Sequence, residues 1–330
     1  MVILVTGATG FLGGAVARRL ALDGSVLATG RRPERGRALV EGGVSFLAAE
    51  LSDPRQVAAL FAGGRVHVVL HCAALSAPWG RRAAFEAANV DATRNLVEAA
   101  LGSQVARFVH VSTPAVYFDG RDRHDVREDA PLPRPRNHYA RTKLAAERVI
   151  DAAVQRGLPA ITLRPRALFG PGDTTIFPRL LRAMEHGRLP ILGSGTNRID
   201  LTYIDNAVKA LELALAAPED FVGRTYNITD GAPLALWPLL QRLAAELGFK
   251  PPTRRVSRRA AHALAGGLEL LYRGLGLARE PLLTRYTVGL LSADTTLDIS
   301  AARGDLGYEP EVGFEAGLAR FLAWWKAGAR

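Results

Sequence analysis

Val2-Ile3-Leu4-Val5-Thr6-Gly7-Ala8-Thr9-Gly10-Phe11-Leu12-Gly13 decides the fold. An apolar, β-branched run ends in three glycines, and an amphipathic helical pattern over 11–22 begins inside them. Gly7 lets the chain turn sharply. Gly10 lets backbone approach a pyrophosphate at a helix N-terminus, and Gly13 lets the helix pack close to the strand. A glycine triplet alone says little. Set between a first strand and a first helix, it reads as a dinucleotide loop. The alternative is a tight strand–helix turn that holds no ligand.

Outward from this loop the pattern repeats. Near-continuous apolar runs occupy 25–29, 44–49, 66–72, 108–112 and 160–163, and helical patterns occupy 54–61, 82–101 and 138–155. Strands apolar on both faces belong to parallel sheets covered by helices on both sides. The prediction is an α/β fold, a doubly wound parallel (Rossmann) sheet with right-handed crossovers. Past residue 165 the rhythm breaks at Gly170-Pro171-Gly172-Asp173. Helices are expected at 177–187, 205–216, 234–247, 258–275, 281–291, 300–306 and 313–326, with strands at 200–204 and 225–228. The chain thus divides into a Rossmann domain, 1–165, and a smaller, mostly helical C-terminal substrate domain, 166–330. The strand and helix near 200–216 are expected to return to the first domain.

The 330 residues are 48% hydrophobic and 22% charged, a globular composition rather than a disordered one. The single cysteine, Cys72, excludes an intramolecular disulfide and Cys-rich zinc sites, so no metal is expected. Neither a signal peptide nor a spanning helix is expected, and a reducing, cytoplasmic setting fits. The net charge of +10 raises nucleic acid as a partner. Yet only four of the 42 basic residues are lysines, and no long basic block occurs. With so much Ala, Gly and Leu beside it, the arginine excess reads as compositional bias, and no nucleic-acid partner is expected.

The second strand bears on the cofactor. Readers of NAD place an acid there, roughly 20 residues beyond the glycines. Here the strand ends Thr29-Gly30-Arg31-Arg32. Guanidinium groups match a ribose 2′-phosphate bidentately, which favours NADP(H) over NAD(H). Glu34, after Pro33, falls on the next helix.

Tyr139-Ala140-Arg141-Thr142-Lys143 sets a tyrosine and a lysine on one helical face. A nearby ammonium stabilises a phenolate, and moving a tyrosine from about 10 to about 7 takes roughly 4 kcal/mol. An ordinary solvated Tyr–Lys pair is the alternative. Ser112-Thr113 ends the fifth strand, where a hydroxyl faces the crevice of a doubly wound sheet. Such a hydroxyl holds a substrate oxygen while the tyrosine exchanges its proton.

These motifs resemble the extended short-chain dehydrogenase/reductases, in the NAD-dependent epimerase/dehydratase group, over nearly the whole chain. They read TGATGFLG from Thr6, Glu50-Leu51 with Asp53, His71-Cys72-Ala73-Ala74, Asn89-Val90, VSTPAVY from Val111, YARTK from Tyr139 and LRPRALFGPGD from Leu163. The resemblance implies Thr113, Tyr139 and Lys143 as catalytic, with Thr113 rather than Ser112 as the hydroxyl. It implies a dinucleotide held by Gly7, Thr9, Gly10, Phe11, Leu12, Gly13, Arg31, Arg32, Ser112, Tyr139 and Lys143. Glu50, where Asp is usual, and Leu51 would lie by the adenine. Ala73 and Ala74 would line the pyrophosphate–ribose path, and Pro165 and Arg166 would meet the nicotinamide end.

Within the group, dehydratases carry Asp-Glu after the threonine, where this chain has Pro114-Ala115. Ile199 stands where epimerases present an arginine. The segments 195–206, 227–233 and 305–310 are similar to the 3β-hydroxysteroid dehydrogenase-like branch. That branch includes sterol 4-carboxylate 3-dehydrogenases and 2-alkyl-3-oxoalkanoate reductases. The implied reaction interconverts a secondary alcohol and a ketone on a hydrophobic β-keto or β-hydroxy acid or a sterol-like molecule. A nucleotide-sugar 4-epimerase and a non-catalytic dinucleotide sensor are the alternatives. A homodimer through 82–101 and 138–155 is implied by the resemblance.

The segment 260–277 is an ordinary buried helix, a pocket wall or lid, or a shallow membrane contact flanked by Arg258-Arg259. Trp79 closes on substrate or packs its loop. His138 meets a carboxylate or caps a helix, and Cys72 reads as a small buried hydrophobe.

Overall fold

The computed structural model describes residues 1–277 and 279–328. Seven parallel strands form the central sheet: β1 (Val2–Thr6), β2 (Ser25–Gly30), β3 (Ser45–Ala48), β4 (Val66–His71), β5 (Arg107–Val111), β6 (Ala160–Pro165) and β7 (Thr225–Ile228). Their order is β7-β6-β5-β4-β1-β2-β3. The direction of winding reverses at β1, so a crevice opens beyond the carboxyl ends of β1 and β4. Leu4, Val5, Val69, Leu70, Phe108 and Val109 are buried, as strands covered on both faces require.

The helices that frame the crevice start where sequence chemistry tells them to. The first, α1 (Phe11–Leu20), follows Gly10 with no side-chain cap and no acid in its first turn. Next come α2 (Pro33–Glu41), which carries Glu34, and α3 (Pro54–Phe61). Asp53 caps α3 through the Arg55 amide at 2.9 Å, and Pro54 sits in its first turn. Asn137 caps the long α5 (His138–Val154), accepting from the Ala140 amide at 2.7 Å.

The expected helix at 82–101 is three pieces. A short helix, Arg82–Phe85, leads into a π-turn, Glu86–Asp91, and then α4 (Ala92–Gly102). The buried Asn89 sits in the π-turn. Its Oδ1 accepts from the Leu75 amide at 2.7 Å, and its Nδ2 donates to Leu75 O at 3.2 Å and Thr142 Oγ1 at 2.9 Å. A wider turn directs this side chain across to the loop after β4 and to α5.

The chain beyond 165 is woven into the sheet. Strand β7 pairs with β6, and α6 (Ile204–Ala216) packs against α1. Conversely, Arg123–Val126 pairs with Thr295–Leu297 in a separate four-stranded sheet. The C-terminal part therefore has short strands that its helical patterning hides. The expected strand at 200–204 shrinks to Thr202–Tyr203 because the helix begins at Ile204. The helix expected at 281–291 starts at Arg285, as α8 (Arg285–Ser292), where Thr284 and Thr287 form a capping box.

A buried network ties the parts together. Arg164 pairs with both carboxylate oxygens of Glu147 and donates to the Tyr117 hydroxyl. Tyr117 donates to Asn227 at 3.0 Å, and Asn227 donates to Val126 O at 2.9 Å. Removing one partner would leave a buried charge uncompensated.

Around the glycine loop, backbone crosses backbone. A Cβ on Gly7 would lie 2.7 Å from the Ala73 backbone, and one on Gly13 would overlap the Gly7 carbonyl. Gly13→Ala is therefore expected to lower unfolding stability by about 1–3 kcal/mol, as overpacking does. The same variant is expected to weaken dinucleotide binding. Urea titration and dinucleotide titration check both effects; wild-type values in each would contradict the close-crossing argument.

Candidate active site

The site assembles where β4, β5 and α5 end or begin. Thr113 follows β5 and caps the 3-10 turn Pro114–Tyr117, accepting from the Ala115 amide at 3.2 Å. Tyr139 lies in the first turn of α5. The side chains of Thr113 and Ser76 lie near enough to its hydroxyl to lower its pKa. Ser76, in the loop after β4, has no local signature in the sequence. Sheet order alone brings it to Tyr139. The Ser112 hydroxyl is buried without a partner.

Lys143 is 1% exposed. Its Nζ donates to Val111 O at 2.7 Å and to His110 Nε2 at 3.2 Å. Burial pushes its pKa down to about 8, against the pull of Glu147. Two neutral histidines lie beneath it. His71 bridges Thr6 Oγ1 at 2.8 Å and Thr93 Oγ1 at 3.0 Å. Burial and the Lys143 charge hold His71 near 3 and His110 well below the ordinary value.

The expected lowering of Tyr139 by the ammonium is not what this arrangement produces. Burial is the largest influence on the phenol and raises its pKa, and the groups that lower it are Thr113 and Ser76. Lys143 is engaged by Val111 and His110 instead. Tyr139 is therefore a neutral phenol, the form that gives a proton away.

Most of the residues expected to hold a dinucleotide lie at the carboxyl ends of β1, β2, β3 and β4. Gly7, Thr9, Gly10, Phe11, Leu12 and Gly13 run from the end of β1 into α1. The N-terminus of α1 meets no capping side chain or acid. A Cβ on Gly30 would fall 2.7 Å from Thr9 Oγ1, so β2 ends against the loop. Arg31 and Arg32 are exposed beyond it, with Arg31 Nη1 4.0 Å from Glu50 Oε2. Leu51 is buried, and its carbonyl accepts from Asn95 at 2.9 Å. The Ala73 amide is pinned to Thr6 Oγ1 at 3.1 Å, and Ala74 beside it is exposed. The side-chain-free approach and the open helix end fit an anionic dinucleotide.

On the far side of Tyr139 lies a group that the sequence does not single out. Tyr286, on α8, has its pKa raised by burial and by Tyr139, and lowered by Arg166. Its ring meets Phe118 edge-on at 4.9 Å. Pro165 ends β6, and the Arg166 guanidinium turns toward the C-terminal part, donating to Thr295 Oγ1 at 2.7 Å. Arg166 Nε is buried without a partner, and burial lowers the guanidinium's pKa.

Trp79 docks the loop after β4 onto the C-terminal end of α7 (Arg258–Gly274). It donates to Leu277 O at 3.2 Å and meets the Tyr272 ring edge-on at 6.4 Å. His138 lies beside Arg141, with Nδ1 2.7 Å from Nη2. Cys72 is half-buried just past β4, and burial raises its thiol to about 12.

A family model described as "NAD dependent epimerase/dehydratase family" matches residues 3–229. The chain is 38% identical over 332 residues to "Uncharacterized protein YbjS" of Escherichia coli, covering 98% of this chain and 97% of that protein. It is 37% identical over 337 residues to a "2-alkyl-3-oxoalkanoate reductase" of Stenotrophomonas maltophilia, covering 98% and 99%. Among solved structures, "MoeE5 in complex with UDP-glucose and NAD" is similar with a TM-score of 0.79, at 28% identity and 100% coverage of both chains.

Tyr139→Phe is expected to lower turnover roughly 10²–10⁴-fold while dinucleotide affinity stays near wild type. Steady-state assays with a dinucleotide titration check this. Turnover retained in the variant would remove Tyr139 from the chemistry.

Proposed function

The chain belongs to the NAD dependent epimerase/dehydratase family, and from that premise we propose an NADP(H)-preferring enzyme acting on long-chain β-keto or β-hydroxy acids. At the coarser level it is a nicotinamide-dependent oxidoreductase that interconverts an alcohol and a ketone on a hydrophobic substrate. The observation that carries the finer reading is the neutral Tyr139 phenol near two hydroxyls, with a guanidinium in the adjoining wall whose Nε has no partner.

The bound dinucleotide supplies hydride chemistry at the carbinol carbon. The chain supplies the rest. Tyr139 Oη gives its proton to the substrate oxygen as negative charge develops there. Thr113 and Ser76 hold that oxygen in place. Lys143 binds the ribose and keeps a positive charge under the site. The glycine loop and the open end of α1 hold the pyrophosphate, with Leu51 and Glu50 by the adenine. Arg31 and Arg32 face the 2′-phosphate. A homodimer through 82–101 and 138–155 belongs to the same reading.

The substrate's carboxylate is assigned to Arg166. A buried guanidinium with an unpartnered Nε favours an anionic partner. A β-keto acid places its carboxylate two carbons from the reacting centre. The match to a protein named 2-alkyl-3-oxoalkanoate reductase supports this class. Ile199, buried where an epimerase has an arginine, offers a sugar diphosphate no charge.

NADP⁺ reduction is the decisive assay. A 2-alkyl-3-hydroxyalkanoate should be oxidised with higher kcat/KM than the same secondary alcohol lacking the carboxyl group. Arg166→Gln should shrink that acid-to-alcohol ratio roughly tenfold or more, since hydrogen bonds to charged groups contribute about 1.5–3 kcal/mol. Turnover confined to UDP-sugars, with NAD retained through purification, would sink the reading.

Arg31→Ala tests the cofactor preference separately. NADP⁺ affinity should fall at least tenfold on the same scale, while NAD⁺ affinity should hold or rise. Equal losses for both dinucleotides would show that Arg31 does not read the phosphate.

A further inference from the structure

Helix α7 carries apolar side chains that nothing in the fold covers. Leu264, Leu270, Leu271 and Leu275 are 60%, 74%, 54% and 64% exposed, and Leu277 and Leu282 beyond it are 43% and 91%. Six of the eleven large exposed hydrophobic residues thus fall between 264 and 282, too concentrated for scattered surface apolar residues. At 3.6 residues per turn, Leu264, Leu271 and Leu275 share an arc of about 40°. Gly267, Gly274, Ala260 and Ala263 smooth the adjoining face. The opposite side of the helix, Ala261, Ala265, Gly266 and Glu269, packs inward against α8.

Charge separates this face from an ordinary amphipathic one. The only acid between 258 and 277 is Glu269. It is buried, holding the Arg285 amide at 2.8 Å and Arg273 at 3.6 Å. The exposed face therefore has no acid. Arg254, Arg255 and Arg259 at the start of the helix and Arg279 beyond its end are exposed and in no ion pair among the described residues. Leucines along the exposed face, arginines at both ends of the helix and, in the following turn, an acid already held by Arg179 (Glu280) match the interface of an anionic bilayer. A protein partner would need its own acids to meet the arginines. No helix among the described residues is long and apolar enough to cross a membrane, so the contact is shallow.

We infer that α7 and the following turn dock this protein on anionic lipid surfaces. The leucines enter the acyl boundary, and the arginines meet the phosphates with their stems along the apolar surface. The C-terminal end of α7 touches the loop that carries Ser76 and Trp79. Docking thus places the edge of the candidate site against the bilayer, where an apolar substrate is dissolved. That last clause rests on the proposed function; the docking does not.

Co-sedimentation with vesicles tests it. The wild-type chain should bind phosphatidylcholine vesicles containing one-third phosphatidylglycerol, bind pure phosphatidylcholine at least tenfold more weakly, and release at high salt. Leu271→Glu/Leu275→Glu should cut binding to the anionic vesicles at least tenfold. Neither leucine belongs to the site, so dinucleotide affinity in that variant reports an intact fold. Arg255→Ala/Arg259→Ala should also weaken binding, by roughly fivefold per arginine. Absence of binding to anionic vesicles overturns the inference. So does binding that the leucine variant leaves untouched, which would be diffuse charge attraction. A wild-type oligomer that the leucine variant splits, with no vesicle binding, assigns the face to a second copy and also overturns it. None of these outcomes depends on whether the enzyme turns over β-hydroxy acids.

Discussion

Three backbone segments meet at the head of β1, and side chains are excluded there. Gly7 lies against the Ala73 backbone, and Gly13 lies against the Gly7 carbonyl. The loop after β1, the first turn of α1 and the end of β4 converge because no Cβ stands between them. Much of the site inherits its position from this crossing. Thr6, one residue before it, bonds both His71 and the Ala73 amide, fixing the start of the loop that carries Ser76. Asn89 fixes the same loop at Leu75 and joins it to Thr142 on α5. Ser76 and Tyr139 thus come together through two polar side chains anchored in different layers.

Beneath the site the protein buries a cation without a carboxylate in contact. Lys143 is held by a carbonyl and a neutral imidazole, and its pKa falls to about 8. Burial, with the ammonium behind it, keeps His71 and His110 neutral. Below pH 6.5 an unfolded chain would protonate both histidines, while the folded chain binds fewer protons. Their contribution to stability is therefore complete above pH 6.5 and lost as pH falls toward 3. Lysine has the opposite balance. Between about 8 and 10.5 the unfolded chain holds the extra proton, so the cost of burying the ammonium eases as pH rises through that window. The arrangement spends stability near neutrality to keep a positive charge under the crevice. An anionic ligand there would raise the lysine's pKa and offset the cost.

The sequence made the local chemistry legible, and distance hid the rest. The glycine loop, the doubly wound sheet and the Tyr139–Lys143 face are written in short segments with local spacing, and the family resemblance picks out Thr113. Ser76, His110 and Tyr286 are not. Each reaches the site because non-neighbouring segments are brought together, and no periodicity marks them. The π-turn at Glu86–Asp91 was hidden for a related reason. Its apolar spacing is helical, and only the demand of Asn89 for Leu75 and Thr142 widens it. The electrostatic expectation for Tyr139 failed on geometry. Spacing i,i+4 places phenol and ammonium on one face, but it does not say which neighbours each side chain prefers.

The arginine excess illustrates the same division. Composition alone treats every arginine alike, and a net charge of +10 carries no address. Structure sorts them. Arg164 is consumed by Glu147 inside the molecule, and Arg156 by Glu98 on its surface. Arg166 donates to Thr295 and feels the Asp200 carboxylate, yet its Nε is buried without a partner. Arg254, Arg255 and Arg259 are exposed at the start of α7 and in no ion pair among the described residues. A basic residue becomes informative when its surroundings leave the charge unanswered. By that criterion Arg166 Nε and the unpaired arginines at the ends of α7 stand apart from those held by acids.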